Sequence, residues 1–144
     1  MDFLRTPLTE KAFQIALKAH SGQLDKAGQP YIMHPCHVAS QMADEYKVAA
    51  ALLHDVVEDT PVTIEQLIGQ GIPEQVIEAL RLLTHDSQVP YLDYVRRLKE
   101  NEIARAVKLA DLEHNSDLSR LEAPTQKDLD RAKKYEQAKL LLLS

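Results

Sequence analysis

The sequence predicts an all-α fold, one bundle of roughly eight helices over residues 1–144. Three observations predict it. Apolar residues recur at helical spacing in successive segments, and no segment sustains the two-residue alternation of a half-buried strand. The seven prolines and four glycines fall at the edges of those segments, where they delimit elements. At 144 residues and 44% apolar the chain has the size and composition of a single domain with a real core.

The elements follow in order. Thr6-Pro7 opens a first helix, with Phe13, Ala16, Leu17 and His20 on its apolar face. Residues 21–33, with Gly22, Gly28 and Pro30, read as a loop. Pro35 starts a second helix over 36–46, and a third covers 48–58. This third helix is apolar on nearly all sides, so it is expected at the centre. Pro61 ends it, and Thr63 caps a short helix to Ile68. Pro73 opens a helix with Val76, Ile77, Leu80 and Leu83 on one face, ending near His85. Pro90 opens another to about Glu100, and Asn101 caps a long helix running through Leu121. Pro124-Thr125 starts the last, whose apolar end at 140–143 is expected to pack on the bundle.

Composition excludes several functions. Seventeen basic against twenty-two acidic residues, a net charge of −5, do not make a nucleic-acid-binding surface. Trp is absent and aromatics are 5%, too few for a single-strand stacking platform. The longest purely apolar run, 48–53, is far short of the roughly 20 residues that span a bilayer. The start has no uninterrupted apolar core of a signal peptide, and the single cysteine fits a reducing compartment. A cytoplasmic protein is expected, with no membrane or nucleic-acid polymer as partner. Its oligomeric state is open, a homodimer included.

The central segment contains His54-Asp55-Val56-Val57-Glu58-Asp59. Four ionisable groups in six residues of an apolar helix call for a partner or a metal, because a buried unpaired charge costs several kcal/mol. His34, at a loop-helix junction, and Asp111, a carboxylate interrupting an apolar turn, are further candidates. Asn115 follows Asp111 by one helical turn. Together His34, His54, Asp55 and Asp111 form a two-imidazole, two-carboxylate set that suits Mn²⁺, Fe²⁺ or Zn²⁺. Lys26, Arg105 and Lys108 are the cations near these motifs that phosphoryl chemistry would need. His20, His37, His85 and His114 are read as structural or supporting residues, and Tyr91 and Tyr94 as core residues able to line a pocket.

The motif that contains Lys26, Tyr31 and His34-Pro35, the His54-Asp55…Glu58-Asp59 run, and Val107-Lys108-Leu109-Ala110-Asp111…His114-Asn115 resemble the HD superfamily of metal-dependent phosphohydrolases. Within it they are similar to the hydrolase domain of the RelA/SpoT alarmone enzymes and to stand-alone small alarmone hydrolases. The resemblance implies a single HD-type domain that binds Mn²⁺ through His34, His54, Asp55 and Asp111. It implies removal of the 3′-pyrophosphate of ppGpp or pppGpp, with Glu58 and Asp59 acting on the attacking water. It also implies a nucleotide site including Tyr31 and Asn115, the latter at the ribose. Two positions depart from the family pattern: Asp25 stands where an arginine is usual, and Leu118 where a threonine is. These departures leave a different phosphorylated nucleotide, or nucleotide binding without turnover, as alternatives.

Overall fold

The computed structural model describes residues 3–144, position 120 by its backbone only. Among them the helices are α1 (Pro7–Ala19), α2 (Met33–Ser40), α3 (Glu45–Leu53), α4 (Val56–Asp59), α5 (Ile64–Gly69), α6 (Glu74–Leu83), α7 (Tyr91–Leu98), α8 (Glu102–Asn115) and α9 (Gln126–Leu143). A 3₁₀ turn covers Leu118–Arg120. No strand forms among the described residues, and the one extended pairing is an isolated bridge between Leu24 and Pro30. The all-α expectation holds, with the single-turn α4 as an addition to eight longer helices.

The central helix is α3. Val48 to Leu53 are all at 0% exposure, and α3 packs against α1, α2, α6 and α8. Each buried leucine there contributes about 2 kcal/mol of apolar transfer. A helix whose last six residues are fully buried is a firm mount for whatever its end presents, and its end presents His54.

The helix boundaries differ from expectation in three places. The second helix starts earlier, at Met33, and stops at Ser40, because Asp44 caps a new helix by accepting the Lys47 amide at 2.9 Å. The third helix stops at Leu53 rather than running to residue 58. The Ala51 carbonyl, which the Asp55 amide would use in a continuous helix, receives the His54 ring at Nδ1, 2.5 Å away. The chain bends at His54-Asp55 and resumes as α4. The long helix ends at Asn115 rather than Leu121, where the Ser116 hydroxyl donates to the Leu112 carbonyl at 2.6 Å and Asp117 caps the 3₁₀ turn. Leu17, expected in the core, is 40% exposed. The apolar tail is divided: Leu142 is buried, while Leu140 and Leu143 face outward.

Candidate metal centre and its two cavities

Four elements converge on one point. The loop before α2 is shaped by Gly28, whose φ of +81° is open to glycine, and by Asp25, whose Oδ1 accepts the Ala27 and Gln29 amides at 2.9 Å each. The Asp25 carboxylate is thereby engaged in its own turn. That turn delivers Tyr31 and, in the first turn of α2, the buried His34. The bend after α3 delivers His54 and Asp55, and α8 delivers Asp111.

His34, His54, Asp55 and Asp111 each bring a ligand-type atom to within 4.8 Å of the others. His34 Nε2 lies 2.8 Å from Asp111 Oδ1 and 3.8 Å from Asp55 Oδ2. His54 Nε2 lies 3.0 Å from Asp55 Oδ2 and 3.3 Å from Asp111 Oδ1. Both imidazoles direct Nε2 into the cluster and commit Nδ1 elsewhere, His54 to the Ala51 carbonyl and His34 to His114 Nδ1 at 2.7 Å. Two imidazole nitrogens and two carboxylates, with the outer ring nitrogens anchored, are the donor set of a divalent transition-metal site.

The surroundings tune these groups. Burial alone would push the His54 imidazole down, but Asp55 and Asp111 outweigh it and hold it well above the usual histidine range. Burial opposes charge on Asp111 too, yet Lys108 and the bonds from His34 and His54 hold its carboxyl well below the usual range. Lys108 Nζ donates to Asp111 Oδ2 at 3.2 Å, and Asn115 Nδ2 donates to Asp111 Oδ1 at 3.0 Å. The Tyr31 hydroxyl donates to Asp55 Oδ2 at 2.5 Å. Burial, then the charge of Asp55, keeps that phenol protonated far above its ordinary range.

Two cavities open on the cluster. The smaller, about 190 Å³, is lined by Asp55, Asp111, Glu58, Lys108, Tyr91 and Tyr94, among others. The Glu58 carboxylate in its wall accepts the His85 amide at 2.9 Å. Asp59 is exposed beside it; partial burial and the charges of Asp55 and Glu58 push its carboxyl up to about 6. The larger cavity, about 290 Å³, touches His34 and Asn115 and is lined by Leu24, Lys26, Leu118, Asp128 and Arg131. Tyr31, Asn115 and Tyr135 line both.

Of the eleven residues singled out from the sequence, His34, His54, Asp55 and Asp111 form the cluster; Tyr31, Glu58, Lys108 and Asn115 line its cavities, as does Lys26 in an ion pair with Asp128 at 3.5 Å; and Asp59, exposed next to Glu58, lies within reach of the charge of Asp55. Arg105 is the exception. Its Nε donates to the Leu142 carbonyl at 2.7 Å, so it ties α8 to the end of α9 and lines neither cavity. Arg105 and Lys108 share a helix edge, but only Lys108 falls where α8 faces the cluster. Missed from the sequence were Arg131 and Tyr135, four residues apart on α9. Nothing local marks them on a helix rich in charge; only the docking of α9 across the cavities does.

Fold and cluster together define the class: a helical protein built around a two-histidine, two-aspartate centre at the base of two adjoining cavities. The chain belongs to the HD domain family, whose profile matches residues 12–143. It is 40% identical over 115 residues to a guanosine-3′,5′-bis(diphosphate) 3′-pyrophosphohydrolase of Haemophilus influenzae, covering 70% of this chain and 17% of that protein. It is 36% identical over 119 residues to the bifunctional (p)ppGpp synthase/hydrolase SpoT of Escherichia coli, covering 73% of this chain and 17% of that protein. A GTP pyrophosphokinase of Myxococcus xanthus is 34% identical over 126 residues, 75% of this chain and 16% of that protein. The chain thus spans about one sixth of the length of these relatives. A solved structure of a metazoan ortholog of SpoT, described as hydrolysing ppGpp, superimposes with a TM-score of 0.76 at 28% identity, covering 97% of this chain and 87% of that one. Among the described residues no helix is long and apolar enough to cross a membrane.

Proposed function

We propose that this chain is a metal-dependent hydrolase that removes the 3′-pyrophosphate from guanosine 3′,5′-bis(diphosphate), yielding GDP and pyrophosphate. The observation that carries the reading is the convergence of His34, His54, Asp55 and Asp111, with Glu58 and Asp59 one turn further on. Those four residues would hold one divalent ion, Mn²⁺ by our reading of the two carboxylates, with Fe²⁺ and Zn²⁺ the other fits. Such an ion supplies charge neutralisation for phosphoryl oxygens and acidifies an attacking water.

The chain's own residues do the rest. Asp59, with a carboxyl pushed up to about 6, is ionised yet basic enough at neutral pH to take the proton of an attacking water. Glu58, held by the His85 amide, orients that water from the wall of the smaller cavity. Lys108 meets the phosphoryl charge, and Tyr31 and Asn115 hold the nucleotide where the two cavities join. Lys26 contributes a cation from the wall of the larger cavity. Our reading takes residues 1–144 as one HD-type domain acting on a small nucleotide in the cytoplasm, with its single Cys36 a free thiol.

Metal-stripped protein refilled with Mn²⁺ is expected to release pyrophosphate and GDP from ppGpp, and Asp55→Ala to release none. A second reading is favoured by one observation: Leu118, which cannot hydrogen-bond a sugar, lines the larger cavity. Slow turnover of ppGpp beside rapid turnover of another phosphorylated nucleotide establishes that reading in place of the first. Saturable nucleotide binding with no hydrolysis under Mn²⁺, Fe²⁺ or Zn²⁺ refutes both.

A further inference from the structure

We propose that His114 is the positioning residue of the cation site, holding His34 in the tautomer that a divalent ion requires. The inference rests on the proposed metal centre.

His34 is 3% exposed and has partners at both ring nitrogens. Nε2 faces Asp111 and Asp55, and Nδ1 faces His114 Nδ1 at 2.7 Å. A neutral imidazole has one N–H and one lone pair. Ligation through Nε2 puts the lone pair there and the proton on Nδ1, where something must accept it. For His54 the acceptor is the Ala51 carbonyl, which can only accept and so leaves no choice of tautomer. For His34 the task falls to an imidazole.

The geometry suits that task. The two ring planes lie within 8° of each other at a centroid separation of 5.0 Å, so the Nδ1–H of His34 and the Nδ1 lone pair of His114 share a common plane. Asp111 and His114 are three residues apart on α8, one helical edge serving both nitrogens of the same ring. The face of His114 is covered by the exposed ring of His37, stacked at 4.0 Å and 22°. Turning the His114 ring edge away from His34 would break that stack, so the acceptor is held in place from a third side. His114 does not join the four ligand atoms, so it acts on the cation site through His34.

The test compares Mn²⁺ affinity of metal-stripped parent, His114→Phe and His114→Gln chains, read by the electron paramagnetic resonance of free Mn²⁺. Phe keeps a flat ring against His37 but offers no acceptor; Gln restores a carbonyl acceptor without a ring. His114→Phe is expected to bind about ten- to a hundredfold more weakly, the usual cost of losing an outer partner of a ligand histidine, and His114→Gln to recover most of that loss. A role confined to packing would give the reverse order. In Zn²⁺-loaded protein carrying ¹⁵N-histidine, His34 is expected to show its proton on Nδ1. A His114→Phe chain that binds Mn²⁺ as tightly as the parent, or a loaded His34 protonated at Nε2, overturns this inference and leaves the metal centre standing. A parent chain that takes up neither Mn²⁺ nor Zn²⁺ overturns the centre and this inference together.

Discussion

Replacing Tyr31 by phenylalanine removes one oxygen and leaves the ring contacts to His20 and His34 in place. That oxygen donates a 2.5 Å hydrogen bond to Asp55 Oδ2, the atom that also faces His54 Nε2 at 3.0 Å. A hydrogen bond to an ionised group contributes roughly 1.5–3 kcal/mol, and the lower end applies here because Tyr31 is only half-buried. At about 3–4 °C per kcal/mol for a chain near this size, the midpoint of metal-free Tyr31→Phe should fall by about 5 °C. The larger effect is on metal. Without the phenol, Asp55 is oriented only by His54 and more distantly by His34, and loss of such a partner costs about ten- to a hundredfold in metal affinity. Isothermal titration of the stripped protein with Mn²⁺, beside a thermal melt of each variant, measures both quantities. Unchanged Mn²⁺ affinity would refute the argument that the phenol orients Asp55. Unchanged affinity with a raised KM for the nucleotide would instead assign Tyr31 to substrate alone.

Three further outcomes are expected. Asp111→Asn leaves the partly buried Lys108 without its counter-charge and weakens the bonds from both histidines. It should abolish Mn²⁺ uptake and cost about 3 kcal/mol in urea denaturation, the scale of a broken buried pair. For Asp59, the folded carboxyl is raised above its unfolded value, so ionising it opposes folding: the penalty is absent below about pH 4 and fully present above about pH 6. Metal-free Asp59→Asn should therefore be more stable than the parent at pH 8, by under about 1 kcal/mol because the side chain is exposed, and equal to it near pH 3.5. A gain confined to acid pH in denaturant titrations would refute that sign. Arg105→Ala loses the bond to the Leu142 carbonyl, so the end of α9 should fray, with faster amide exchange at 140–144 and a loss of about 1 kcal/mol, while turnover changes less than twofold.

Much of the fold was legible because helices announce themselves locally. Apolar spacing, capping residues and prolines marked each element, and Thr6, Thr63, Asn101 and Thr125 all cap as their positions imply. The boundaries that differed turn on side-chain competition that spacing does not carry. His54 takes a backbone acceptor and ends α3, Asp44 starts a helix in mid-segment, and Ser116 closes α8 early.

The chemistry of the site was legible for a related reason. Charged residues inside an apolar segment cost too much to be there without a partner, so His54, Asp55 and Asp111 were conspicuous in the sequence by itself. What only the tertiary structure decided is direction and distance. It set which nitrogen of each histidine enters the cluster, and that Asp25 is bound within its own turn. It turned Arg105 toward α9 while Lys108, one turn away, reaches Asp111. It also brought Arg131 and Tyr135 across the cavities. Sequence carries the cost of burying a group, which is local; it does not carry which distant group relieves that cost, because that depends on how α8 and α9 pack over the end of α3.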